Sequence, residues 1–299
     1  MKKAINIRCG NRLQWAILLF ATLPMTPPNR HPEPRSYVTV LSDESYLKGV
    51  LTLHYSLMQT YPAYPLLVLL NDGVSISTQH ILTQANIAFK ILPKLHYSAH
   101  SNTSMQQRGW DALLHNTADK LSVFTLTEYA KIVYLDADML VLKNIDYLFR
   151  YPHGSAVIDA GNIIEPLMQG QYNAEQYAYA HQFNSGLFVC QPNADDYQRC
   201  LALLQTEVGF DQEILRRLWA DWQASPQRHL PQTCNIFAAN MVAYITEGMC
   251  GFTDVEVLHY VYQPKPWHKT DFNIHTTQDF IYFIYQEYLQ KALRAANLV

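Results

Sequence analysis

The sequence lacks several features that would assign a protein to a functional class at once. Its five cysteines show no Cys-x-x-Cys spacing and are odd in number, which argues against a zinc site or a closed set of disulfides. The formal net charge is only −3, so no basic footprint for nucleic acid is present. We therefore expect a globular protein of a reducing, cytoplasmic compartment, without a nucleic-acid partner.

Long hydrophobic runs are lacking near the N-terminus. The apolar run Trp15 to Leu23 has nine residues, too few to cross a membrane, so no stable membrane span is expected. Basic residues precede this run as in a signal peptide, but no small-x-small cleavage site precedes the proline-rich segment Pro24 to Pro34. Residues 1–36 are predicted to form a disordered or signal-like leader, and secretion or export through it is the alternative to a cytoplasmic location.

Strand-like and helix-like segments alternate beyond this leader, which predicts an α/β sheet flanked by helices. The predicted strands are Tyr37–Leu41, Leu66–Leu70 and Phe89–Leu92, and the predicted helices include Ser77–Ala88 and Asp111–Tyr129. Neither a GxGxxG fingerprint nor a P-loop is present, so a nucleotide's phosphates would have to be held in another way.

Two carboxylates that follow a buried strand offer a way to hold a nucleotide's phosphates through a metal ion. Asp136 and Asp138 come directly after the apolar run Ile132 to Leu135. Ligands of parallel sheets bind beyond the carboxyl ends of the strands, where these side chains lie. Carboxylates at this spacing suit Mg²⁺ or Mn²⁺, which fills its other positions with phosphate oxygens and water. Such acids also cap helices or face solvent, so the pair alone does not decide the matter.

Three later segments add polar groups to this predicted site. An apolar strand pattern begins at Asn184, Ser185 and Gly186, and a helical pattern begins at Asp211 and Gln212. Further along the chain, His259 follows the short apolar run Val257-Leu258, and Lys265 comes six residues later. A histidine can complete a metal site, and a lysine can meet phosphate. Each segment also has a purely structural interpretation: Asn184 as a turn residue, Asp211 as an acid at a helix start and His259 as a packed core histidine.

In this order, the segments resemble the glycogenin-like retaining glycosyltransferases, which have the GT-A fold. The resemblance covers residues 37–268 and rests on Thr39–Tyr46 with Lys48 and Gly49, Tyr134–Leu142 running into Asn144–Phe149, Phe183–Gly186, Asp211–Gln212 with Ile214–Leu215, and His259 with Lys265–Trp267. It implies one nucleotide-diphospho-sugar transferase domain over residues 37–270, with a single Rossmann-like mixed sheet. Apolar residues on one face of 281–298 predict a C-terminal helical extension over 271–299.

The resemblance also implies roles for individual residues. Asp136, Asp138 and His259 would bind Mn²⁺, with Mg²⁺ as an alternative, and Lys265 would contact the diphosphate of a UDP-sugar. The remaining donor-site residues would be Val40, Ser42, Asp43 and Tyr46 at uridine, Lys120, Ala137 and Gly186 along the donor, and Asn184, Ser185, Asp211 and Gln212 around the sugar. Asp211 and Gln212 are the predicted catalytic residues, with Asp211 either stabilising the oxocarbenium-like centre or attacking it.

The sequence departs from the family at two places. Tyr262 stands where the family often has a glycine that approaches phosphate, and Val242 falls on the position of the self-glucosylated tyrosine, with Tyr244 two residues later. Self-glucosylation is therefore not expected. The long segment His153–Gln182 is expected to contribute to acceptor specificity.

The predicted function is that of a metal-dependent retaining hexosyltransferase, which moves glucose or galactose from a UDP-sugar to an unknown carbohydrate, polyol or protein acceptor. A metal-dependent nucleotide-diphosphate hydrolase and an inactive UDP-sugar-binding protein are the alternatives. A homodimer is compatible with the sequence.

Overall fold

A six-stranded mixed sheet forms the centre of the protein in this computed structural model. The structure describes residues 33–99, 101, 103, 117–159, 182–246, 248, 250–269, 271–272 and 276–299. The strands are β1 (Arg35–Leu41), β2 (Leu66–Asn71), β3 (Ala88–Leu92), β4 (Lys131–Leu135), β5 (Met139–Val141), β6 (Ser155–Ile158), β7 (Phe183–Cys190), β8 (Ile236–Phe237) and β9 (Val257–His259). The order in the large sheet is β3-β2-β1-β4-β7-β6, in which the first four are parallel and β7 pairs antiparallel with both β4 and β6.

A second, three-stranded sheet has the order β5-β9-β8. The strand β5 pairs antiparallel with β9, and β8 pairs parallel with β9. The register sets Met139 opposite His259, so the end of β9 lies beside the chain that has just left β4. This pairing positions the site described below.

The described α-helices are α1 (Leu47–Gln59), α2 (Ile76–Gln84), α3 (Ala194–Thr206), α4 (Asp211–Leu218), α5 (Met241–Thr246) and α6 (Thr277–Ala295). Every residue of β2 is buried, as expected for an interior parallel strand covered on both faces. In the described part of the chain, no helix is long and apolar enough to cross a membrane.

Two predicted helices differ from the structure. The segment predicted as Ser77–Ala88 ends at Gln84, because the chain turns at Asn86 with a φ of 55° and Ala88 already belongs to β3. Within the prediction 111–129, residues 111–116 lie outside the described residues, and Ala118–Thr125 forms a 3-10 helix. Residues 118–124 of that 3-10 helix are all buried, so the helical stretch predicted here is shorter and more tightly wound than an α-helix over 111–129.

The α6 helix lies near the C-terminus. It packs along α1, and Ile281, Tyr285 and Leu289 are buried with Trp267 and Tyr260 in one apolar cluster. Residues 33–299 form one compact unit. The predicted leader and most of the predicted acceptor-specificity segment, 160–181, lie outside the described residues.

Candidate active site

The site begins where β4 ends. The backbone N–H of Asp136 donates to the carbonyl of Gly186 on β7, and the chain then turns through Asp138 into β5. The N–H of Tyr260 donates to the carbonyl of Asp138, which fixes the end of β9 against this turn. His259 therefore meets both carboxylates, although it lies far from them in the sequence.

Asp136, Asp138 and His259 form a cluster that can hold a metal ion. One ligand atom from each lies within 4.8 Å of the others. His259 Nε2 lies 3.2 Å from Asp138 Oδ1 and 3.7 Å from Asp136 Oδ2. Carboxylate oxygens suit Mg²⁺ and Mn²⁺ alike, whereas an imidazole nitrogen favours the transition metal. The donor set thus fits Mn²⁺ better than Mg²⁺.

The two carboxylates differ electrostatically. Burial opposes ionisation of Asp138, but the ammonium of Lys265 holds its pKa well below its usual range. The distance from Lys265 Nζ to Asp138 Oδ2 is 2.6 Å. At Asp136, burial raises the pKa, and the neighbouring Asp138 raises it further against the opposing charge of Lys120. Asp138 is thus the more firmly ionised of the two.

On its other side, Asp136 joins a second ionic cluster. Lys120 Nζ lies 2.9 Å from Asp136 Oδ1 and 2.7 Å from Asp211 Oδ2. Ser185 Oγ donates to the same oxygen of Asp211 at 2.8 Å, and the hydroxyl of Tyr134 donates to Asp136 at 3.0 Å. Burial disfavours the charged amine of Lys120, but the two carboxylates raise its pKa above its ordinary value. The structure thus joins the predicted metal site to the predicted catalytic aspartate through one lysine.

The predicted sugar-side residues also meet. Asn184 Nδ2 donates to Gln212 Oε1 at 3.1 Å, and the backbone N–H of Ser185 donates to the same oxygen at 2.9 Å. A Cβ on Gly186 would overlap Cε1 of His259, so only glycine leaves room for the imidazole there. Polar groups at the start of β7 and at the start of α4 therefore lie together on one side of the site.

The predicted uridine residues lie along the end of β1. Val40 and Ser42 are half-buried, and Ser42 Oγ donates to Asp119 Oδ2 at 2.6 Å. Asp43 is exposed and caps the short 3-10 helix Glu44–Tyr46 by accepting from the N–H of Ser45 at 2.9 Å. Ser42 thus bonds to the buried Asp119, Val40 packs against the apolar core, and the carboxylate of Asp43 bonds to its own chain.

Tyr46 lies between this end of β1 and the metal-side lysine. Its ring centroid lies 5.2 Å from that of Trp267, and Lys265 Nζ lies 5.9 Å from the Tyr46 ring. On the neighbouring helix, a Cβ on Gly49 would lie only 2.6 Å from the carbonyl oxygen of Ala137 and 3.0 Å from the Trp267 ring. The α1 helix thus packs directly on the turn that carries the carboxylates.

Several polar residues of the site were missed from the sequence. Asn71 donates to Asp119, which also accepts from the N–H of Leu95. Asp159 pairs with Arg216 at 2.9 Å, and both side chains are less than a tenth exposed. Asp119 lies one residue before the predicted Lys120, and Asp159 follows an apolar strand as Asp136 does. The local sequence pattern could therefore have indicated that these two carboxylates belong to the site.

Comparison with known proteins identifies the family. Residues 37–226 match the model of Glycosyl transferase family 8. The chain belongs to this family. This family 8 chain is 30% identical to human glycogenin-1 over 240 residues, which cover 79% of the chain and 63% of glycogenin-1. It is 28% identical to the Arabidopsis thaliana UDP-glucuronate:xylan alpha-glucuronosyltransferase 2 over 203 residues, 67% of the chain and 30% of that protein. The predicted glycogenin-like resemblance is confirmed.

Solved structures show the fold of this family 8 chain. An active-site mutant of LgtC superimposes with a TM-score of 0.57 at 17% identity, over 87% of the chain and 99% of LgtC. The GlyE glycosyltransferase of Streptococcus pneumoniae gives a TM-score of 0.54 at 16% identity, over 88% of the chain and 62% of GlyE. The predicted GT-A fold is confirmed. The chain spans less than two thirds of the length of human glycogenin-1, so the activity of that whole protein does not transfer directly.

Proposed function

We propose that this family 8 chain is a metal-dependent retaining hexosyltransferase that uses a UDP-sugar, with glucose or galactose as the transferred sugar. The observation that carries the proposal is the cluster of Asp136, Asp138 and His259, whose ligand atoms lie within 4.8 Å of one another. The match to a glycosyltransferase family supports the transfer of a sugar. The acceptor would be a carbohydrate, a polyol or a protein.

In the proposed reaction, the three ligands would hold Mn²⁺ against the diphosphate. When bound, the ion would stabilise the negative charge that develops on the leaving UDP. Asp211 would stabilise the positive charge that develops on the sugar ring, or attack its anomeric carbon. Because Lys120 bridges Asp211 and Asp136, it would hold the carboxylate of the sugar side at a fixed distance from the metal side.

Lys265 has a more restricted role in this proposal. Its ammonium donates to Asp138 at 2.6 Å and to the carbonyls of Tyr260 at 2.8 Å and Val261 at 3.0 Å. An ammonium has three hydrogens, so these contacts use all of them. Lys265 would contact the diphosphate only after losing one of these three partners. A metal ion bound at Asp138 would replace Lys265 as the partner of that carboxylate.

The acceptor is proposed to be a separate molecule. Val242 occupies an exposed position and carries no hydroxyl, whereas Tyr244 is 0% exposed, so its hydroxyl cannot reach a donor sugar. The nearby Tyr262 is 41% exposed. Self-glucosylation at this part of α5 is therefore not proposed.

The test is release of UDP from a panel of UDP-sugars, measured with and without Mn²⁺. UDP-glucose, UDP-galactose and UDP-glucuronate belong in the panel, because one relative is named for UDP-glucuronate and LgtC is named a galactosyltransferase. We expect Mn²⁺-dependent release with a neutral hexose, accelerated by the correct acceptor. Equal release with and without Mn²⁺ would refute the metal proposal, and full turnover in water alone would indicate a hydrolase. The matched controls are Asp138→Asn at the site and Asp221→Asn, an exposed carboxylate paired with Arg228.

A further inference from the structure

A chain of side-chain hydrogen bonds leads from a buried ion pair to the histidine of the proposed metal site. Gln212 Nε2 donates to Asp159 Oδ2 at 3.3 Å, and Asn184 Nδ2 donates to Gln212 Oε1 at 3.1 Å. Asn235 Nδ2 then donates to Asn184 Oδ1 at 2.9 Å, and Asn235 Oδ1 lies 2.9 Å from His259 Nδ1. Three consecutive amides thus separate Asp159 from the imidazole.

The direction of this chain is fixed by groups that cannot reverse. The backbone N–H of Ser185 donates to Gln212 Oε1, and the backbone N–H of Gly186 donates to Asn184 Oδ1, each at 2.9 Å. A backbone N–H only donates, so each amide must present its oxygen there. At the far end, the carboxylate of Asp159 accepts from the Gln212 amide and from Arg216, which also donates twice to the carbonyl of Phe183.

This direction determines what Asn235 can do. Because Asn184 presents its oxygen, Asn235 must donate its NH₂ to it and turn its own oxygen to His259. Asn235 is 0% exposed and the side chain of His259 is 4% exposed, so water does not substitute for either partner. A buried imidazole nitrogen facing a fixed carbonyl oxygen must donate, since two facing acceptors would leave both unsatisfied.

We propose that Asn235 is a positioning residue that keeps the proton of His259 on Nδ1 and thereby keeps Nε2 available for the metal. The inference rests on the metal site of the proposed function. The carboxylate of Asp138 lies 3.2 Å from Nε2 and would accept a proton held there. Without the acceptor at Nδ1, the neutral imidazole places its proton on Nε2, where it blocks the lone pair that a metal needs.

The direct test needs no substitution. The ¹⁵N chemical shifts of the histidine rings, recorded on the metal-free protein above the ordinary titration range of histidine, show which nitrogen carries the proton. His259→Gln identifies the His259 signals by their loss. We expect a protonated Nδ1. A bare Nδ1 with a protonated Nε2 would overturn the proposal.

The second test is Asn235→Leu, which removes the acceptor at Nδ1 while Asn184 keeps its bond from Gly186. We expect the proton to move to Nε2 and the affinity for Mn²⁺ alone to fall by about 10–100-fold, the usual effect of losing an outer-shell partner. The matched control is Asn193→Leu, which removes a side-chain amide that donates to Asp196 at 2.8 Å at the start of α3, and should alter neither quantity.

The outcomes separate this inference from the proposed function. If Asn235→Leu retains a protonated Nδ1, Asn235 does not set the tautomer and the proposal is wrong. If the proton moves as expected but the parent protein binds no Mn²⁺, the positioning role is supported and the metal-dependent function fails. If Asn235→Leu does not fold, the tautomer of the parent protein still decides.

Discussion

Asp138 is the residue at which the charges of the site converge. It accepts from Lys265 at 2.6 Å and lies 3.2 Å from the imidazole of His259, and both partners are almost fully buried. The ammonium of Lys265 keeps the carboxylate of Asp138 ionised in a place where burial alone would favour the neutral acid. A single carboxylate therefore serves both as a candidate metal ligand and as the partner of a buried lysine.

Asp138→Asn should weaken both metal binding and the fold. The variant removes a charged ligand, so the affinity for Mn²⁺ should fall at least ~10-fold. It also leaves Lys265 with two carbonyls and no carboxylate, so the free energy of unfolding should fall by about 3 kcal/mol. Mn²⁺ titration followed by electron paramagnetic resonance and urea denaturation measure the two effects. Unchanged Mn²⁺ affinity would remove Asp138 from the ligand set.

Asp211→Asn should separate binding from turnover. Asp211 touches Lys120 and Ser185 but belongs to none of the candidate ligand positions. We expect Mn²⁺ and UDP to bind as in the parent protein, while transfer falls by ~10²-fold or more, the usual scale for loss of a charge aimed at the transition state. Steady-state transfer rates with a saturating donor measure this. A variant with the parent's rate would exclude Asp211 from the chemistry.

At the scale of elements, two contacts build the site. The antiparallel pairing of β5 with β9 carries His259 to the carboxylates, and α1 lies on the turn between β4 and β5. The sequence predicted β4 and its two aspartates because a buried run followed by carboxylates is a local pattern. It did not predict the β5–β9 pairing, because such short strands have too little pattern to identify their partners.

The 3-10 helix Ala118–Thr125 is a second feature that the local sequence pattern does not predict. Its sequence predicts an α-helix, but the side chains of Asp119 and Lys120 extend to different partners: Asp119 to the end of β1, and Lys120 to Asp136 and Asp211. Tertiary contacts thus fix the local backbone, and helical propensity alone does not include them. The same reason explains why Asn235 and Arg216 were missed, since their roles appear only when distant segments meet.

Gly49→Ala tests whether α1 must approach the metal turn so closely. Alanine in a helix is normally favoured over glycine by about 1 kcal/mol, so an unimportant contact would give a more stable protein. Here the methyl would lie 2.6 Å from the carbonyl oxygen of Ala137. We therefore expect lower stability and weaker binding of UDP with Mn²⁺, measured by denaturation and calorimetric titration. An increase in stability would show that the helix can move away freely.

At the scale of the whole molecule, the family, the α/β class and the GT-A fold were all predicted from the sequence. The order of short motifs carries that information, because the motifs lie near strand ends and the fold brings those ends together. The boundary at residue 270 stays a prediction. The α6 helix lies beyond this boundary, and its buried face packs with Tyr260 and Trp267, which precede the boundary.

Ile281→Ala tests whether α6 is part of the folding unit. Ile281 is 0% exposed, so its truncation should lower the free energy of unfolding by about 2–5 kcal/mol in a single cooperative transition. Phe283→Ala is the matched control, because that side chain is 39% exposed and should matter much less. Urea denaturation followed by circular dichroism measures both. A separate, early transition in Ile281→Ala would favour a detachable extension.

The close packing of Trp267 has an optical consequence. Its indole is 6% exposed, lies against Gly49, and has its ring centroid 5.2 Å from that of Tyr46, which is predicted to lie at uridine. Trp219 and Trp222 lie in a different apolar cluster, with Phe188. Indole emission responds to nearby charge and to stacked bases, so the protein carries its own fluorescent reporter. Arrival of a donor should change the emission of the parent protein and leave that of Trp267→Phe nearly constant.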